Sequence, residues 1–253
     1  MSKMTNRNWL SKGLNTTRNL LFPPRCVGCG ELMDPFGRNP EIFCPLCRTA
    51  WEAAVTEAAA QSSEDAERGL VYLTFYHSGH TDGIPERLIY HIKHEGDRRS
   101  FAFVAERLAP RLRSAAAILP TRAPTGEDKP LLFTYPPRRR SAVSKDGFDQ
   151  ARRLAKALSA ACEGDFAALI RRTRKGSAEQ KTLDAEERAA NAASSYILAA
   201  NAPETVRDRT IVICDDLCTT GATLNRCASL LVEAGARSVI LCTVARTGRK
   251  YPG

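Results

Sequence analysis

Three features of this sequence predict an α/β fold, a mainly parallel sheet flanked by helices with a small cysteine-rich module ahead of it. Short apolar runs of strand length alternate with stretches of helical periodicity from residue 70 onward. One of those runs, Ile211-Val212-Ile213-Cys214, leads directly into two acids, a loop of hydroxyl residues and glycine, and a helix. Two Cys-x-x-Cys pairs stand upstream in a segment rich in proline and glycine.

The elements follow in order. Residues 1–22 carry Trp9, Leu10, Leu14, Leu20, Leu21 and Phe22 and read as a short amphipathic lead-in that packs on the body. Residues 23–50 form the loop-dominated cysteine module, and 51–69 a connecting helix or linker with a solvated end around Ser62, Ser63, Glu64 and Asp65. The main domain is expected over 70–248. Val71 to Tyr76 reads as a strand, and helical spacing follows from Glu86 and again through Phe101, Val104, Leu108 and Leu112. Leu131 to Tyr135 is an apolar run closed by Pro136 and Pro137, a strand ending in a stiff turn. Phe148, Ala151, Leu154, Ala155 and Leu158 recur at helical spacing. Ala168 to Arg172 and Ser194 to Leu198 are short strands, and Ile211 to Cys214 is a buried one. Leu224, Cys227, Ala228, Leu231 and Ala234 share one helix face ended near Gly235, and Val239 to Val244 is a further buried strand.

Composition narrows the classes. At 253 residues with 43% hydrophobic content, the chain can bury a core and is not a disordered polymer. No stretch has the roughly 18 apolar residues of a membrane span. The N-terminus is polar and interrupted, unlike a secretory signal, so a cytoplasmic protein is expected. A net charge of +9 suits an anionic ligand or partner without choosing among phosphate, pyrophosphate and nucleic acid.

Of nine cysteines, Cys162, Cys214, Cys218, Cys227 and Cys242 lie among apolar or small neighbours and read as buried small hydrophobes. Cys26/Cys29 and Cys44/Cys47 are different. Each pair can set two sulfurs on one face of a tight turn, and two such turns complete a tetrahedron around zinc. Four thiolates leave no open coordination position, so the expected role is structural. A redox pair is the alternative, although one Cys-x-x-Cys would suffice for that. The histidines (His77, His80, His91 and His94) read as surface or pocket-rim residues.

The richest segment is Asp215-Asp216-Leu217-Cys218-Thr219-Thr220-Gly221-Ala222-Thr223. In open α/β sheets ligands bind beyond the carboxyl ends of strands. A loop turning its N–H groups inward at a new helix N-terminus makes a phosphate cradle. Thr219, Thr220 and Thr223 add hydroxyl donors, and Gly221 permits close backbone approach. Two carboxylates beside a phosphate are reasonable where the ligand carries vicinal hydroxyls that need acceptors.

This segment resembles the phosphoribosyl pyrophosphate signature of type I phosphoribosyltransferases. That resemblance implies that Asp215 and Asp216 hold the ribose 2′- and 3′-hydroxyls while Thr219, Thr220, Gly221, Ala222 and Thr223 wrap the 5′-phosphate. The order of further residues looks like the ComF family of competence-associated phosphoribosyltransferase-like proteins. It runs through the cysteine pairs, Tyr76, Ile92, Lys93, Gly96, Asp97 and Pro136, then Gly147-Phe148-Asp149-Gln150-Ala151, Arg174, Gln180, Arg188 and Asn191. The family usually has arginine before a Gly-Phe-Asn-Gln, whereas Asp146 and Asp149 stand here. The resemblance also implies a type I phosphoribosyltransferase-like fold, Mg²⁺ with the ligand, and a mobile cover over 173–191.

Arg138, Arg139 and Arg140 follow a strand end, where they can reach pyrophosphate or form a basic surface turn. Purine-salvage relatives carry an extra acid in the phosphate loop where this chain has Thr219, so the residues do not name an acceptor. Three functions stay open. One is phosphoribosyl transfer to a nitrogenous acceptor, and another is ligand binding without turnover in the service of DNA uptake. The third is contact with single-stranded DNA or with DNA-uptake proteins through the basic surface.

Overall fold

The computed structural model describes residues 23–34, 41–79, 81–119, 129–173 and 195–248. The expected lead-in 1–22 and nearly all of the expected cover at 173–191 lie outside these residues, as do His80, Arg174, Gln180, Arg188 and Asn191.

The order of elements is α1 (Pro45–Glu67), β1 (Leu70–Val71), β2 (Thr74–Tyr76), α2 (Ile84–His94), α3 (Arg98–Ile118), β3 (Leu132–Thr134), α4 (Arg140–Asp146) and α5 (Gln150–Ala161). Then come β4 (Asp165–Phe166), β5 (Ile170–Arg172), β6 (Tyr196–Leu198), α6 (Ala202–Val206), β7 (Thr210–Cys218), α7 (Ala222–Glu233) and β8 (Ser238–Thr247). Six strands form one sheet ordered β1-β8-β7-β3-β4, with β2 also pairing β8, and every pairing in it is parallel. Strands β5 and β6 form a separate antiparallel pair.

Parallel strands buried on both faces read as continuous apolar runs, and β7 obeys this: Ile211, Val212, Ile213 and Cys214 are all fully buried. The pleat sends alternate residues to opposite faces. Val212 and Cys214 pack into the cluster shared with α2, α3 and α5, whereas Ile211 and Ile213 pack against α7 and the β5–β6 pair.

Two expectations need correction. Val71 to Tyr76 is not one strand but two short ones, interrupted at Tyr72. The Tyr72 carbonyl turns away from the ladder and accepts from Ser62 Oγ (2.9 Å) and Arg111 Nη1 (2.6 Å). The segment expected as a solvated end or linker is part of the 23-residue helix α1. Its Ser62 and Asp65 are buried, because Asp65 accepts from the Tyr72 hydroxyl (2.8 Å) and pairs with Arg246 on β8. Serine and aspartate read as solvent-facing in sequence; here tertiary partners pull them inside. The boundary expected at residue 50 also falls within α1.

Removing one partner from this buried group should be costlier than thinning it. Arg246→Ala leaves the Asp65 carboxylate without its cation and should lower stability by ~1–3 kcal/mol, against ~1 kcal/mol for Tyr72→Phe. Urea unfolding of the two variants measures the difference.

Candidate functional site

The acids do not end their strand as expected. β7 continues through Cys218, with Asp215 opposite Thr243, Leu217 opposite Ala245 and Cys218 opposite Arg246 on β8. Backbone pairing therefore fixes both carboxylates within a central strand. The pleat turns the neighbours apart. Asp216 faces α2, where Lys93 Nζ lies 3.3 Å from its Oδ2, while Asp215 faces α7 and the β5–β6 pair, within electrostatic reach of Cys227 and Tyr196. Asp215 Oδ1 accepts the Asp216 backbone N–H at 2.9 Å. Burial first, and then the neighbouring Asp216 charge, push the Asp215 carboxyl well above the usual carboxylate range, with Lys93 opposing. Asp216 is 6% exposed, and its buried Oδ2 accepts no aligned hydrogen bond among the described residues. It has a cation beside it and unused acceptor capacity.

The loop after β7 turns on Gly221, whose φ of 73° is left-handed and which caps α7. A Cβ there would also lie 3.2 Å from Asn225 Nδ2. Thr220 Oγ1 accepts from Ala222 N–H at 3.3 Å, and Thr219 and Thr220 are exposed. The first turn of α7 contains no acid, so nothing in it offsets the positive end of the helix dipole. Burial and nearby charges push the Tyr196 phenol on β6 up, and the side chain of Thr223 brings it part of the way back down.

A cleft of about 1040 Å³ opens between the β3–α4 connection and the β5–β6 pair. Arg138, Arg139 and Arg140 all line it, but they are not one equivalent cluster. Arg138 is held by Asp146 at 2.8 Å, and its backbone N–H donates to Asp149 Oδ2 at 3.2 Å. Arg139 caps α4, and Arg140 is the first residue of that helix. Asp146 and Asp149 thus have local work: Asp146 pairs Arg138, and Asp149 caps α5 by accepting from Arg152 N–H at 3.1 Å. Residues 215–223 do not line the cleft themselves; Tyr196 is the link, since its hydroxyl also accepts from Arg172 Nη1 at 2.9 Å.

The sulfurs of Cys26, Cys29, Cys44 and Cys47 all lie within 4.8 Å of one another, a cluster that could hold a metal such as zinc. The first pair sits on a turn, with Gly30 N–H donating to Cys26 O at 2.8 Å. The second pair is not a facing turn: Cys44 caps α1, Pro45 follows, and Cys47 lies in the helix's first turn. That end of a helix favours negative charge, which suits thiolates. Gly28 makes room for the assembly, because a Cβ there would lie 2.6 Å from Cys47 Sγ. Burial raises the Cys26 thiol, but the backbone N–H groups of Cys44, Cys29 and Gly28 outweigh it and bring the group down to about 7. Burial and the neighbouring thiols push Cys47 the other way. A divalent cation relieves that mutual repulsion, so the donor set fits a thiolate-bound metal. The module also shares the main core, with Phe43 5.7 Å from Trp51 and both rings within 5.8 Å of Phe103 on α3.

Sequence reasoning names Lys93 only as one spaced position in a resemblance, and it gives Tyr196, Arg171 and Arg172 no place in a site. The helix period puts Leu88, Ile89 and Ile92 inward but carries no signal that Lys93 meets a carboxylate on β7. Arg171 and Arg172 lie in a strand too short for its pattern to show which face they take. The other five cysteines behave as expected for packing: Cys214, Cys218, Cys227 and Cys242 are buried and Cys162 is partly so. His91 pairs Glu95 at 2.7 Å, and His94 lies against Tyr90 on the surface.

This arrangement defines a class. A mainly parallel α/β sheet with two acids on its central strand, followed by a glycine-turned loop at a helix N-terminus, has a phosphoribosyltransferase-like fold, here joined to a four-cysteine module. Residues 142–252 match the family model described as the phosphoribosyl transferase domain. Among solved structures, the chain is similar to glutamine phosphoribosylpyrophosphate amidotransferase from B. subtilis (13% identity, TM-score 0.37, covering 60% of this chain and 30% of that one). It is also similar to TT1426 from Thermus thermophilus (16%, 0.31, 62% and 85%) and a hypoxanthine phosphoribosyltransferase from Staphylococcus aureus (14%, 0.32, 59% and 64%). The chain spans less than a third of the length of the amidotransferase. A comparison with curated proteins finds no match.

The geometry of the two sites generates two predictions. Purified protein should carry about one zinc per chain, and Cys26→Ser or Cys47→Ser should lose it and lower the melting temperature; elemental analysis and thermal melts check this. Asp215→Asn should raise the melting temperature near neutral pH. A carboxyl with a raised folded pKa binds its proton more tightly in the native state, so stability falls as pH rises from the unfolded pKa through the folded one. The amide avoids that loss, and its advantage should fade as pH drops toward the ordinary carboxylate range.

Proposed function

We propose that this chain binds phosphoribosyl pyrophosphate at residues 215–223 and transfers its phosphoribosyl group to a nitrogenous acceptor. The observation that carries the reading is the Asp216 carboxylate, buried beside Lys93 with an oxygen that accepts no aligned bond among the described residues, ahead of a glycine-turned loop at an uncompensated helix N-terminus. Asp215 and Asp216 accept from the ribose hydroxyls. Thr219, Thr220, Gly221, Ala222 and Thr223 surround the 5′-phosphate. Arg139 and Arg140, with Arg138 steadied by Asp146, attract the departing pyrophosphate. Mg²⁺ bound to the ligand would offset pyrophosphate charge beside these arginines. Zinc in the cysteine module is structural. The family match over 142–252 supports the phosphoribosyl reading. The resemblance to the ComF family supports a place in competence and DNA uptake.

A second reading, ligand binding without turnover, is favoured by one observation: residues 219–223 contain no acid to meet an incoming base. Release of pyrophosphate in the presence of candidate acceptors separates the two.

Calorimetric titration with phosphoribosyl pyrophosphate and Mg²⁺ tests the site. Asp216→Ala should weaken phosphoribosyl pyrophosphate and ribose 5-phosphate alike, by about tenfold or more, since a buried hydroxyl contact is worth ~1–3 kcal/mol. Gly221→Val should weaken both through the 5′-phosphate, because valine does not tolerate the left-handed turn. An Arg139→Gln/Arg140→Gln variant should weaken only the pyrophosphate-bearing ligand. Unchanged affinity in both Asp216→Ala and Gly221→Val would refute the assignment.

A further inference from the structure

The acid pair on β7 meets a cation from the side of α2. Lys93 Nζ lies 3.3 Å from Asp216 Oδ2, and among the described residues it is the one cation within ion-pair distance of that carboxylate. The partners are unequally placed, since the lysine side chain is 33% exposed and the aspartate is buried. A lysine with water in reach normally keeps its ammonium there and its stem free, because ordering the stem costs conformational entropy. Here the stem is drawn in toward a buried acid. Its base is fixed: α2 buries Leu88, Ile89 and Ile92, ties Glu86 to the His77 N–H at 2.7 Å and anchors Arg87 on the Gly28 carbonyl.

Other groups around the acids do not take its place. Tyr196 from β6 and Cys227 from α7 lie near Asp215, and burial pushes both up, so they are neutral near neutral pH. Burial raises the Cys214 and Cys218 thiols on β7 in the same way. Arg246 on β8 acts on Cys218 but pairs with Asp65. β3 and α5 pack into the core beside β7 with apolar residues, Phe133, Ala151 and Leu154 among them. On α2 itself, His91 pairs with Glu95 and Glu86 with His77. Without Lys93, burial and the Asp216 charge raise Asp215 further. A carboxyl that takes up a proton turns an accepting oxygen into a donor, and a ligand hydroxyl loses a charge-assisted bond. Lys93 opposes this without filling the site, since Asp216 Oδ2 accepts no aligned hydrogen bond from it.

We infer that Lys93 is a positioning residue of the phosphoribosyl site: its ammonium aims the Asp216 carboxylate and offsets its charge, so that the acid pair stays an acceptor of ribose hydroxyls. The inference rests on the phosphoribosyl reading above and adds a residue to it. Lys93 acts through Asp216 and exchanges no proton with the ligand. Its removal therefore weakens any ligand that carries the ribose hydroxyls, with or without pyrophosphate. The loss is greatest in the pH window where the pair has taken up a proton in the variant but not in the wild type, and it shrinks above that window.

The test is calorimetry on the full chain with ribose 5-phosphate, and with phosphoribosyl pyrophosphate and Mg²⁺, across the acidic to neutral range. The phosphates of the ligands titrate too, so each variant is compared with the wild type on the same ligand. In Lys93→Met the pH below which affinity falls should move up by about one unit, with a loss of about tenfold for both ligands inside that window. Lys93→Arg should restore most of the wild-type profile, since it keeps the charge. In an Asp216→Asn background, Lys93→Met should change affinity by no more than about twofold, because the group it acts through is gone. Should Lys93→Met not fold, Lys93→Gln is read by the same criteria. An unmoved pH profile, or an equal loss in both backgrounds, overturns the inference. So does a loss confined to phosphoribosyl pyrophosphate, because Lys93 would then hold the pyrophosphate itself. Failure of the wild type to bind phosphoribosyl pyrophosphate refutes the underlying function, whereas intact wild-type binding with any of these three outcomes refutes only the role of Lys93.

Discussion

Two adjacent carboxylates held on a central strand of a parallel sheet are the constraint around which this protein is organised. Ladder pairing from β8 fixes their backbone, and the pleat aims them at opposite faces. Burial makes charge costly at Asp215, and the covalent neighbour Asp216 makes it costlier. A fold built for stability alone would place apolar residues there, as it does at Ile211 through Cys214 immediately before. The surrounding elements offset the charge instead of removing it. Lys93 approaches Asp216 from α2, and the N-terminus of α7 points its positive end into the loop that follows. The site is thus short of hydrogen-bond donors on its acid side and short of negative charge on its loop side. The ligand proposed above, with vicinal hydroxyls at one end and a phosphate at the other, would meet both needs.

The cysteine module is physically continuous with this site and is not a detachable appendage. Cys47 belongs to α1, whose far end carries Asp65 into contact with Arg246 on β8. Arg87 of α2 donates to the Gly28 carbonyl in the first cysteine turn, and the same helix delivers Lys93 to Asp216. Helix α2 is therefore braced by the module at one end and meets the central strand at the other. A metal that orders the turn at Gly28 also orders the helix carrying the nearest cation to the acids.

Much of this is legible in the sequence where a short local pattern has a single physical reading. The buried run at Ile211 to Cys214, the glycine turn at Gly221 and the alternation of strands with helices are of that kind, as is the spacing of the four cysteines. What escapes depends on tertiary partners. Ser62 and Asp65 look solvent-facing because nothing near them in sequence names Tyr72 or Arg246. The apolar run ends at Cys214, and acids usually close such a run, yet β8 supplies pairing as far as Cys218. Arg138 to Arg140 read as one basic block, but Asp146 claims the first of them, and the opposing Arg171 and Arg172 sit across a cleft that no linear pattern reveals.

The central claim is that one pocket reads ribose hydroxyls and a 5′-phosphate together, and a competition titration on the wild-type protein tests it most directly. Phosphoribosyl pyrophosphate with Mg²⁺ should bind saturably at about one site per chain, ribose 5-phosphate should displace it, and ribose without the phosphate should not. Saturable binding that ribose 5-phosphate cannot displace, or no binding of phosphoribosyl pyrophosphate at all, would contradict the account.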